Sequence, residues 1–169
     1  MKKTLFYTAA AATALLTATA CGSDTTTPTA AETVTVSSAW AKAAESGMTG
    51  AFAELENSGD ADVHVVAASS PSATRTELHE MAGGDAGAMV MREMADGLTV
   101  AAGTSHSLAP GSDHLMLMDL IEPVTPGTEV TFTLTFDDGS TKDFTAQVRD
   151  FAGAQENYEP SSGGMNHGG

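Results

Sequence analysis

The chain has 169 residues, 41% of them hydrophobic, and a formal net charge of −15. That length suits one ordinary domain once the ends are discounted. An excess of 22 acidic over 7 basic residues argues against nucleic acid as a partner and against charge-driven adhesion to anionic lipid.

Met1-Lys2-Lys3 is a short basic segment, and Leu5 to Ala20 is apolar and small, too short to span a bilayer comfortably. Residues 1–20 are therefore expected to be a signal peptide. The small residues before Cys21 resemble the processing site of bacterial lipoproteins, in which the Cys becomes the lipidated first residue. Ala18 stands where Leu is usual, and an ordinary secretory signal cleaved after Ala-x-Ala is the alternative. Cys21 is the single Cys of the chain. The mature domain can thus form no internal disulfide and has no thiolate for a metal, so its stability must come from its core. Loss of Lys2 and Lys3 with the leader leaves five basic residues against 22 acidic ones, a formal charge of about −17, which the solubility of the domain accounts for without a specific partner. Residues 21–32 are rich in Thr, Pro, Ser and Ala and read as a flexible tether after a lipidated Cys21.

The folded domain is expected over residues 33–151. Val34 and Val36 alternate with Thr33 and Thr35, a strand that leads to Trp40, a core or rim anchor. Ala41 to Gly50 reads as a loop and Ala51 to Glu56 as a second strand. The cluster Asn57-Ser58-Gly59-Asp60-Ala61-Asp62 is a turn, and Val63 to Ala68 is a third strand, read as the hairpin partner of the second. His64, alone between valines, reads as a surface or satisfied side chain. After a break at Ser70-Pro71-Ser72, Arg75 to Met81 is a strand with Glu77, His79 and Met81 on one face. Ala82 to Gly87 is a loop, and the short segment Ala88 to Met94 is rich in Met. Gly97 to Ala102 and then Leu108 to Ser112 lead into Asp113-His114-Leu115-Met116-Leu117-Met118-Asp119. Period-two alternation puts His114, Met116 and Met118 on one face of this strand and Leu115 and Leu117 on the other. The last hairpin is the clearest: Phe132, Leu134 and Phe136 alternate with threonines, Asp137-Asp138-Gly139-Ser140 makes the turn, and Phe144, Ala146 and Val148 face inward on the return strand. Residues 152–169 are polar and Gly-rich, a disordered tail that carries Met165 and His167. Seven to nine short strands with regular turn signals argue for an all-β sandwich.

Seven of the nine methionines fall between Met48 and Met118. Met commonly fills irregular core gaps, and for most of these positions that reading stands. A core face, however, would not alternate imidazole with thioether, as the His79 and His114 strands do. Thioether sulfur is soft and a poor ligand for Zn, Ca or Mg, whereas Cu(I) accepts both thioether and imidazole. A blue-copper electron-transfer site also needs a Cys thiolate, which this domain lacks, so metal carriage is the remaining copper chemistry. No catalytic constellation, phosphate-binding loop or basic patch is present, and the chain is expected not to be an enzyme.

Thr33-Val34-Thr35-Val36 with Ala39-Trp40-Ala41, Asn57 to Asp62, Glu77-Leu78-His79-Glu80-Met81, Met89-Val90-Met91-Arg92, Leu108-Ala109-Pro110-Gly111 and His114-Leu115-Met116-Leu117-Met118 resemble the bacterial periplasmic copper chaperones of the PCu(A)C type. The match runs from about Thr33 to Val148. The resemblance implies a cupredoxin-like Greek-key β-sandwich that binds Cu(I) through two His and two Met, carried over onto His79, Met91, His114 and Met116. Each interval, His79 to Met91 and Met91 to His114, is one residue longer than the family pattern, which makes Met89 a rival to Met91. Met81, Met165 and His167 are further candidate ligands, and the tail pair would accept Cu(II) or add a second ligand set. The resemblance also implies delivery toward the copper-A subunit of cytochrome c oxidase, directly or beside a Sco-type copper protein. The expected location is the outer face of the bacterial cytoplasmic membrane or the periplasm, held by the lipid anchor, with the site partly exposed for copper exchange. The alternatives are copper sequestration for tolerance, or a surface-interaction β-sandwich without a metal.

Overall fold

A computed structural model describes residues 27–83 and 89–153. The expected signal peptide, Cys21, part of the 82–87 loop, and Met165 and His167 lie outside the described residues. The described part holds one helical turn, α1 (Ala30–Thr33), and ten strands: β1 (Val34–Lys42), β2 (Thr49–Asn57), β3 (Val63–Ser69), β4 (Ala73–Gly83), β5 (Met89–Glu93), β6 (Leu98–Val100), β7 (Ser105–Leu108), β8 (His114–Leu120), β9 (Glu129–Phe136) and β10 (Thr141–Arg149). The fold is all-β, as the turn spacing predicts.

The strand order is β5-β4-β8-β2-β1-β10-β9-β3-β6, with β7 also on β2. A further pairing of Ala68 with Thr76 joins β3 to β4. The path therefore returns on itself, and two walls, β4-β8-β2-β1 and β10-β9-β3, face each other across one core. β1 and β10 run parallel, whereas β9 and β10 form the antiparallel hairpin read from the sequence. Gly139 adopts φ 80° in its turn, where the Gly139 N–H donates to the Phe136 carbonyl at 2.9 Å. Phe132, Leu134, Phe136, Ala146 and Val148 are buried in the core, and Phe144 stacks on Phe132 at 5.2 Å.

Three expectations change. β3 is not the hairpin partner of β2: it pairs with β9, β6 and β4, and β2 lies between β1 and β8. The reason sits at Asn57, fully buried at the end of β2, whose amide donates to the carbonyls of Ala61 at 2.8 Å and Val100 at 3.1 Å. That anchor carries the turn across the core to the opposite wall instead of back beside β2. β7, for most of which the sequence suggests no element, is a strand because Ser105 to Leu108 pairs with β2 in the register Ala53 to Leu108. Ser-His-Ser-Leu carries little intrinsic strand preference, so this is a tertiary effect. Finally, the residues just before β1 form a capped turn: the Glu32 carboxylate accepts from the Thr29 N–H at 2.8 Å, and Asp138 accepts from the Ala30 N–H at 2.8 Å. α1 is thereby fastened to the β9–β10 turn.

Candidate metal centre

The site grows from the register of three strands. β8 pairs with β4 so that His79 lies opposite His114 and Glu77 opposite Met116. β5 pairs with the far edge of β4 so that Met91 lies opposite Met81. Alternation along each strand then puts these side chains on one face. The other face of the same strands carries Leu78, Leu115 and Leu117, which belong to the main core. Met91, Met116 and Met118, with Met81 packed against them, form a separate cluster on the outer face.

The two imidazoles meet edge-on with ring centroids 5.7 Å apart. His114 Nδ1 lies 2.8 Å from the Ser112 carbonyl. A carbonyl only accepts, so Nδ1 carries the proton and Nε2 carries the lone pair. That Nε2 is turned onto Met91 Sδ, 2.9 Å away. His79 Nε2 lies 2.8 Å from Glu77 Oε2, and the other carboxylate oxygen of Glu77 pairs with Arg75. Arg75 also reaches Asp119, 3.9 Å away at the strand end. Glu77 is a buried carboxylate held between a guanidinium and an imidazole, which offsets the cost of its burial.

His79, Met91, His114 and Met116 are thus brought together, and all four are buried. This differs from the partial exposure expected for exchange. Phe52, 6.1 Å from the His114 ring and 4.5 Å from Trp40, forms a wall over the cluster. A hollow of only about 30 Å³ remains between Met91, His114 and Met116 on one side and Gly50, Phe52, Pro110 and Gly111 on the other. The two rivals on β5 are separated clearly: Met91 is 2% exposed and Met89 57%. Met81 is half-buried at the cluster edge. His64, read as satisfied, meets the Thr99 hydroxyl at 3.0 Å. Sequence reasoning did not find Phe52 or the Ser112 carbonyl as site residues. Phe52 arrives through the β2–β8 register, which leaves no local signal, whereas Ser112 lies two residues before His114 and was within reach.

The donor chemistry fits a soft ion. Among the described residues no group of three or more His, Cys, Asp or Glu is arranged to hold a metal ion. The convergence depends on thioether sulfur beside imidazole nitrogen, a set that suits Cu(I) over Zn, Ca or Mg.

A family model described as "Putative lipoprotein LpqE-like" matches residues 34–148. A relative from Leifsonia xyli subsp. xyli (strain CTCB07), "Putative lipoprotein Lxx21020", is 45% identical over 129 residues, 76% of this chain and 77% of its own. Among solved structures, the copper-bound PCuAC domain from PmoF2 superposes with a TM-score of 0.59 at 18% identity, covering 73% of this chain and 97% of that one. The solution structure of CuI-DR1885 from Deinococcus radiodurans gives a TM-score of 0.53 at 31% identity, covering 71% and 82%. The β-sandwich is therefore of the PCuAC type, in agreement with the resemblance read from the sequence, and the chain belongs to the LpqE-like family.

Proposed function

We propose that this protein is an extracytoplasmic copper carrier that binds one Cu(I) ion through His79, Met91, His114 and Met116 and passes it to an acceptor. The observation that carries the reading is the meeting of two imidazoles and a thioether on an outer sheet face, His79 to His114 at 5.7 Å and His114 Nε2 to Met91 Sδ at 2.9 Å. A purely structural use of that face would favour aliphatic side chains. A solved structure at 31% identity carries Cu(I) in its name, which supports the choice of ion. Two neutral imidazoles and two neutral thioethers leave a bound cuprous ion with low net charge and no thiolate, a combination suited to release as well as capture. The acceptor proposed is the copper-A subunit of cytochrome c oxidase or a Sco-type protein, and the lipid on Cys21 would keep the domain at the membrane where that acceptor sits. The role is carriage and not catalysis.

The test is Cu(I) titration of the chain from Gly22 onward against a competing chelator. The wild type is expected to bind one ion, and His114→Ala and Met116→Ala to lose that binding. Unchanged tight one-to-one binding in both variants would sink the ligand assignment. Delivery is read in a deletion strain, where oxidase activity should fall at low copper. Sensitivity confined to high copper would assign sequestration instead.

A further inference from the structure

We propose that Glu77, steadied by Arg75, is a positioning residue that sets the tautomer of His79, so that the two histidines present different nitrogens to the metal. The inference rests on the copper reading above and concerns which atoms bind and what orients them. Glu77 Oε2 lies 2.8 Å from His79 Nε2. An ionised carboxylate only accepts, so His79 donates Nε2–H and its lone pair lies on Nδ1. His114 has the opposite arrangement: its Nδ1–H donates to the Ser112 carbonyl at 2.8 Å, and its lone pair lies on Nε2. One ring is aimed by a side chain and the other by the backbone. The metal-binding nitrogens are thus His79 Nδ1 and His114 Nε2.

Burial makes the pairing strict. His79 is 0% exposed and Glu77 7%, so water cannot readily replace either partner. The second oxygen of Glu77 is occupied by Arg75, which fixes the plane of the carboxylate and with it the direction of the His79 hydrogen bond. The β4–β8 register puts Glu77 directly across from Met116, so the carboxylate borders the ligand set without being a soft donor itself. A hydrogen bond from the non-ligating ring nitrogen to a carboxylate is the usual way in which a ligand imidazole is oriented. Its loss commonly weakens metal binding by about 10–100-fold.

The experiment is long-range ¹H–¹⁵N NMR of the imidazoles in the chain from Gly22 onward, with and without one equivalent of Cu(I), combined with chelator competition on Glu77→Gln and Glu77→Ala. The expected result in the wild type is a metal-induced shift of His79 Nδ1 and of His114 Nε2. Glu77→Ala should retain one-to-one stoichiometry with affinity lowered about 10–100-fold and a mixture of His79 tautomers, and Glu77→Gln should recover part of the affinity because its amide oxygen can still accept. Metal shifts at Nε2 of both histidines would overturn the proposal, and that wild-type measurement stands even if a variant fails to fold. Wild-type affinity in Glu77→Ala would overturn it as well. Absence of Cu(I) binding in the wild type would instead remove the copper reading on which the proposal depends.

Discussion

Met91 and Met89 show how much one residue's setting decides. They are two positions apart on β5, carry the same side chain, and share a strand face. Met91 is buried against His114, whereas Met89 lies farther along the strand, opposite Gly83, and is 57% exposed. Met91→Leu keeps an apolar side chain of similar volume, so its stability cost should stay below about 1.5 kcal/mol. It removes a sulfur donor, however, and Cu(I) affinity should fall at least tenfold in chelator competition. Met89→Leu should leave the affinity unchanged. Equal affinities for the two variants would break the assignment of Met91. Met118→Leu belongs beside them as a control that should leave the affinity unchanged, because Met118 packs with Met116 in the outer cluster and lies outside the proposed ligand set.

At the scale of elements, β8 serves two masters. Its Leu face closes the main core and its His/Met face lines the proposed metal centre. Leu117 is fully buried in that core. Leu117→Ala should therefore destabilise the domain by about 2–5 kcal/mol, measured by chemical denaturation. α1 offers an acid-sensitive contact. Asp138 accepts from the Ser140 hydroxyl and N–H and from the Ala30 N–H. These hydrogen bonds, that of the Ser140 hydroxyl first and that of the Ala30 N–H next, hold its carboxyl below the ordinary value. A lowered folded-state pKa contributes stability that is present above the unfolded value and is lost as pH falls through the folded one. The protection of the Ala30 amide, taken relative to its intrinsic exchange rate at each pH, should thus fall on acidification below the ordinary carboxylate range. Asp138→Ala should show the lower protection already at neutral pH, and wild-type protection there would refute the contact's role.

For the whole molecule, acidity and architecture work in different directions. A formal net charge of −15 repels itself in the compact state. Raising salt to physiological ionic strength, where the Debye length is about 8 Å, should therefore raise the melting temperature of the metal-free protein. A melting temperature that falls or stays constant would show that local ion pairs outweigh the net charge. Encounter with a copper acceptor should in turn be fastest with a basic docking face and should slow with salt.

The sequence by itself determined the class of fold, the β9–β10 hairpin, the two-faced character of β8 and the soft donor chemistry of its outer face. Each of these follows from period-two alternation, a turn signal or residue type, all of which act over a few neighbouring positions. The tertiary structure alone decided that β3 joins the opposite wall, that β7 is a strand, that Met91 and not Met89 packs against His114, and that Phe52 covers the cluster. These depend on the register between strands far apart in the chain. Register is set by how whole apolar faces and anchors such as Asn57 pack together, information that no single stretch of residues carries.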